Sequence, residues 1–159
     1  MFKRSGISTI EILTVIALLV IIGGITIANI FGRKGRSEID SATKQIVALL
    51  REAQSRSVSQ ASSTSWGVHF ENGTGTAPFY ALFPGQYAST TRLGSHRLPV
   101  SVRYATATLA LGSSTDIVFS QIVGRPQATT SIGLELVGGG NFVVATSAIR
   151  VNNNGSVEY

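Results

Sequence analysis

In this 159-residue chain, Glu11 is the side chain whose placement most needs a chemical reason. It stands at the start of an uncharged run, Ile12–Phe31. As a helix that run would be about 30 Å long, the thickness of a bilayer's hydrocarbon core. A carboxylate at the lip of such a helix is costly and marks a functional position by default. The bland alternative is that Glu11 snorkels from the helix end into the headgroups. Lys3 and Arg4 precede the run, and Arg33, Lys34 and Arg36 follow it. These basic flanks suit membrane lipid headgroups.

A second group of side chains could bind a polyanion. Arg92, His96, Arg97 and Arg103 fall between Tyr87 and Tyr104 in a loop-to-strand stretch. Such residues can contact phosphates without reading bases. Equally, they can belong to a solvated loop, because charge outside this stretch is balanced and no aromatic platform accompanies it.

Catalytic constellations are not apparent. His69 and His96 are the only histidines, and His69 lies in an alternating strand, where a structural or surface role is expected. No G-x-S-x-G elbow accompanies the many Ser and Thr residues. The Gly138-Gly139-Gly140 run has no following Lys-Ser/Thr and reads as a turn rather than a phosphate loop. The acids Glu71, Asp116, Glu135 and Glu158 are scattered and make no hydrolase pair. With no cysteine, thiol chemistry, disulfides and Cys-ligated metals are excluded. The expectation is a protein without enzymatic activity, catalytic residues, metal or cofactor.

Composition supports two unlike regions. Charged residues make up 13% of the chain, and the mean hydropathy is +0.27. The apolar excess is concentrated in the N-terminal run. Net charge is +5, yet residues 63–159 set five arginines against the four acids named above. A basic total therefore does not by itself indicate nucleic-acid binding.

Three readings compete for the N-terminus. A cleaved secretory signal would have a shorter apolar region and a small-residue cut site. A plain single-span anchor fits the length and leaves Glu11 unexplained. The third reading explains it. Met1-Phe-Lys-Arg-Ser-Gly6, then Ile7-Ser-Thr-Ile-Glu11, then the uncharged run, resembles the class III signal of type IV prepilins and type II secretion pseudopilins. The resemblance implies cleavage after Gly6 by prepilin peptidase, N-methylation of Ile7, and Glu11 as the fifth mature residue. Ile7 departs from the usual Phe or Met. It further implies that Glu11 neutralises the new Ile7 amine of a neighbouring subunit and so sets the stagger of a filament. Partners would be other pilin or pseudopilin subunits, prepilin peptidase and an inner-membrane assembly platform.

The elements that must carry these groups follow from periodicity. Gly23-Gly24 and Gly24-x-x-x-Ala28 give small-residue spacing for close helix approach, or a place to unwind. Ile39, Ala42, Ile46, Leu49, Leu50, Ala53 and Val58 recur at steps of three and four, with Ser37 as a possible N-cap. A single helical rod to about Ser62 is expected. Strands are expected at 65–71, 79–83, 98–106, 117–122, 132–137, 142–150 and 156–159. The Asn-Gly pairs at 72–73 and 154–155 read as turns, although both open glycosylation sequons. The implied fold is α+β: a long N-terminal helix, apolar membrane half first, packed on one small antiparallel sheet.

Domain organisation follows as leader 1–6, transmembrane and assembly helix 7–31, amphipathic helix 32–62 and β-rich pilin domain 63–159. Asp116–Pro126, Ile132–Leu136 and Ile149–Val157 look like the H-type pseudopilin and FimT-like domain. A minor subunit is implied, of a secretion pseudopilus or a type IV pilus. In that family some members bind DNA for uptake, which would involve Arg92, Arg97 and Arg103. A non-polymerising anchored binding domain is the further alternative. The resemblance places the chain in the bacterial inner membrane, single-pass, with Lys3 and Arg4 cytoplasmic and the globular part outside, then in a periplasmic or extracellular filament.

Overall fold

A computed structural model describes residues 9–159, with the side chains of 23–34 outside that description. The readings placed on Lys3, Arg4, Gly6, Ile7, Gly23, Gly24, Ala28, Arg33 and Lys34 therefore lie outside the described residues. The chain divides into two compact units, Met1–Lys34 and Gly35–Tyr159, and helix α1 (Thr9–Val58) contributes to each.

In the first unit the described side chains are those of residues 9–22, and all are exposed. As helix that stretch is about 21 Å long, short of a hydrocarbon core of about 30 Å. Among the described residues no helix is long and apolar enough to cross a membrane. This overturns two expectations. A long N-terminal helix with a membrane half is not supported, and neither is the single-pass inner-membrane placement derived from it.

In the second unit, the 35–58 part of α1 buries Ile39, Ala42, Ile46, Val47, Leu50 and Ala53. The three-four spacing gathers these apolar residues into one buried stripe. Helix α1 ends at Val58, before the expected Ser62. Gln60 turns left-handed at φ 54°, and a short 3-10 turn, Ala61–Ser63, leads into the first strand.

Eight strands follow: β1 (Trp66–Asn72), β2 (Phe79–Pro84), β3 (Leu93–Arg97), β4 (Val102–Tyr104), β5 (Ser113–Phe119), β6 (Thr130–Val137), β7 (Val143–Val151) and β8 (Val157–Glu158). They form two four-stranded sheets, ordered β3-β2-β1-β5 and β4-β6-β7-β8, with antiparallel pairing throughout. The single small sheet expected from the sequence is thus corrected to two. Alternation along a strand reports which face is buried and is silent on which strands pair.

One core joins both sheets to the 35–58 helix. Trp66, Val68 and Phe70 of β1 meet Tyr80 and Leu82 of β2, and Ile132, Leu134 and Leu136 of β6 meet Ile149 and Val151 of β7. Each fully buried aliphatic or aromatic side chain contributes about 1.5–3 kcal/mol relative to exposure. The alternate residues of β1, Gly67 and His69, are buried too, on the opposite face. That second buried face is where the sheet departs from a one-sided design.

Candidate functional site

Along residues 9–22, apolar side chains point outward on every side of the helix. Ile10 is 72% exposed, Leu13 66% and Val20 68%. A helix that is apolar all round is normally covered by protein or lipid. Glu11 sits in its first turn, where a carboxylate suits the positive end of the helix dipole. Its backbone oxygen accepts a hydrogen bond from the Thr14 hydroxyl at 2.9 Å. Its carboxylate makes no hydrogen bond or ion pair to the described residues. Ile12, Val15 and Ile16 line a shallow apolar hollow beside it. Gly6 and Ile7, the expected cleavage and methylation positions, lie outside the described residues.

The arginines expected for nucleic acid fall on two sheets. Arg92 precedes β3 and Arg97 ends it, and both are exposed. The Arg92 guanidinium lies 5.8 Å from the Phe79 ring centroid. His96, between them, stacks on Tyr80 with centroids 5.4 Å apart. Arg103 belongs to β4, in the other sheet. Its Nε lies 2.9 Å from Glu135 Oε2, and its Nη1 donates to Asn141 Oδ1 at 3.2 Å. The paired carboxylate offsets that charge. Tyr104 is wholly buried, and its hydroxyl donates to the Phe79 carbonyl at 3.0 Å. Burial pushes the Tyr104 phenol up from its ordinary value, with the neighbouring Tyr80 adding to the effect. Of the flanking tyrosines, Tyr104 is buried and Tyr87 has one ring face stacked on His69.

That stack belongs to a cluster the sequence did not reveal. His69 on β1 stands directly across from Asp116 on β5 and Ala81 on β2. It is 4% exposed. Its Nδ1 lies 2.5 Å from Asp116 Oδ1, and Tyr87 lies parallel to its ring at a centroid distance of 3.5 Å. Phe79 packs at 6.0 Å, and Phe83 meets Tyr87 edge-on at 5.4 Å. Gly67 makes room: a Cβ there would come within 2.8 Å of the Phe83 ring. The other ring nitrogen, Nε2, is buried without a hydrogen-bond partner. Glu71 Oε2 stands 3.5 Å from it, within ion-pair reach and too far for a good hydrogen bond. His69 and Asp116 are 47 positions apart in sequence, so no local pattern joins them.

A second unforeseen cluster closes the end of the helix. Gln54 Nε2 donates to the carbonyls of Gly124 and Gly155, each at 3.0 Å. The Ser57 hydroxyl accepts from the Trp66 backbone N–H at 2.8 Å and donates to the Phe119 carbonyl at 3.1 Å. Two side chains one turn apart thus join the loops after β5 and β7. Among the described residues, no group of three or more His, Cys, Asp or Glu side chains is arranged to hold a metal ion.

When the chain is compared with known proteins, no family model, no curated protein and no solved structure matches it.

Proposed function

We propose that the chain is a structural subunit, of the minor kind, in a filament of the type IV pilus or type II secretion pseudopilus class. In this reading, prepilin peptidase cuts after Gly6, and the apolar part of α1 packs against its counterparts in other subunits. Glu11 neutralises the α-amine of Ile7 in a neighbour, since an unpaired charge buried among apolar side chains is expensive.

The observation that carries this reading is the 9–22 stretch of helix, apolar and exposed on every side, with one carboxylate that has no ion-pair partner among the described residues. A domain that acts alone has no use for such a surface, whereas a helical core shared between copies covers it. The Gly6-to-Glu11 spacing supplies the processing step. The separation of Arg92 and Arg97 from Arg103 leaves no specific observation in favour of the nucleic-acid alternative.

The experiment is intact mass of the protein co-expressed with a prepilin peptidase, beside a Gly6→Val control. Loss of residues 1–6 in the wild type alone, with or without one methyl group, supports the reading. An uncut chain in both sinks it.

A further inference from the structure

The imidazole of His69 has neighbours at both ring nitrogens, on one ring face and alongside. Asp116 fixes Nδ1, Tyr87 covers one ring face, Phe79 stands alongside, and Nε2 points into protein without a hydrogen-bond partner. With Asp116 ionised, a ring N–H at Nδ1 donates along the 2.5 Å contact. A neutral ring then presents a lone pair at Nε2. That lone pair faces the Glu71 carboxylate at 3.5 Å. Two acceptors opposed in a buried position are unfavourable. A second proton on the ring turns Nε2 into a donor, and the opposition becomes an ion pair.

The charged and titratable groups around the ring are few. Its own strand supplies Glu71, and β5 supplies Asp116. β2 presents Ala81 and Phe79, neither of them titratable. The segment between β2 and β3 brings Tyr87 against the ring and Arg92 over Phe79. Among the described residues, no group of His, Cys, Asp or Glu side chains is arranged to hold a metal ion, this one included.

We propose that His69 is a proton-operated latch for the 85–92 segment. As imidazolium it bridges Asp116 on β5 and Glu71 on β1, and the ring so fixed holds Tyr87, and with it the segment, against the sheet. Loss of the proton sets Nε2 against Glu71, loosens the ring and releases Tyr87. The segment leads directly into β3, whose residues are all exposed. Its release therefore changes how Arg92 and His96 are presented at that edge. The inference rests on the Gly35–Tyr159 unit and stands or falls independently of the filament reading.

The test is nuclear magnetic resonance on the full-length protein, following both His69 ring nitrogens and the Tyr87 ring signals from about pH 5 to about pH 8, the range in which imidazoles commonly change charge. The expected result is that Nε2 gains its proton on acidification, and Tyr87 moves with the same midpoint, away from the values of free tyrosine. His69→Phe keeps a stacking ring without a proton and should abolish the Tyr87 response. Glu71→Gln, on a partly exposed side chain, should shrink it several-fold and decides the matter if His69→Phe does not fold. Tyr87 signals that ignore the protonation of His69, or that still respond in His69→Phe, overturn the proposal.

Discussion

Gln54 satisfies two backbone carbonyls with one amide, Gly124 and Gly155 both at 3.0 Å. Replacing it with Ala leaves both acceptors without their donor at a partly buried place, which costs about 1–3 kcal/mol. Urea denaturation of Gln54→Ala should show a lowered midpoint with an unchanged slope. The same node constrains Gly155, where φ is +90° and a Cβ would stand 2.5 Å from Gln54 Nε2. Tyr104 makes a second prediction. Burial raises its phenol above the ordinary value of 10.0, so at high pH the unfolded chain loses this proton before the folded one. Stability is then fully present below that ordinary value and is lost as pH climbs beyond it. Tyr80 is shifted the same way by burial and adds to the effect. In Tyr104→Phe the alkaline loss should be clearly smaller, at a cost of about 1 kcal/mol near neutrality for the missing bond to Phe79, as read from thermal melts across pH. At this scale legibility in the sequence followed distance along the chain. The reading of Glu11 rests on a five-residue spacing from Gly6, which is a local pattern. The His69–Asp116–Tyr87 group was not legible, because only the pairing of β1 with β5 and the return of the 85–92 segment bring it together.

The elements divide in the same way. The helical stripe from Ile39 to Ala53 was legible because a step of three and four is a local property. Its energetic weight is testable: Leu50 is wholly buried against both sheets' apolar residues, and Leu50→Ala should cost about 2–5 kcal/mol, scaling with the cavity left behind. Strands β1, β2, β6 and β7 carry runs of Val, Ile, Phe and Leu and were placed within a residue or two. Strand β3, Leu93-Gly-Ser-His-Arg, has a single large apolar residue and is exposed throughout. Its strand character comes from pairing with β2 rather than from its own composition. The start of β5 was misplaced for the same reason. Ser113 to Asp116 are polar, and it is their register with Asn72 to His69 that makes them strand. Where pairing alone creates an element, a single sequence has little to offer, and the division of eight strands into two sheets is the largest case of that.

At the scale of the molecule, every residue of the hydrophobic core lies between Ile39 and Val151, whereas residues 9–22 spend their apolar surface on solvent. The buried apolar surface that stabilises the fold thus lies in one part of the chain, and the exposed apolar surface of residues 9–22 in another. A chain beginning at Gly35 should consequently fold alone, with cooperative unfolding close to that of the full chain. Loss of the cooperative transition would show that the first thirty-four residues stabilise the rest. The converse prediction rests on the proposed filament reading and concerns Glu11. Val in its place keeps the apolar surface and removes the only carboxylate on it, so cleavage by prepilin peptidase should proceed and the core should melt unchanged. What should fall is incorporation into filaments, and it should fall most when every copy carries the change, because in a mixture the wild-type carboxylates still meet their neighbours' amines. Cleaved Glu11→Val and wild-type chains, mixed in known ratio and recovered from sheared filaments, give the measurement by mass spectrometry. Recovery in the input ratio would mean that the carboxylate does not set the stagger, and that apolar packing of the helix is enough.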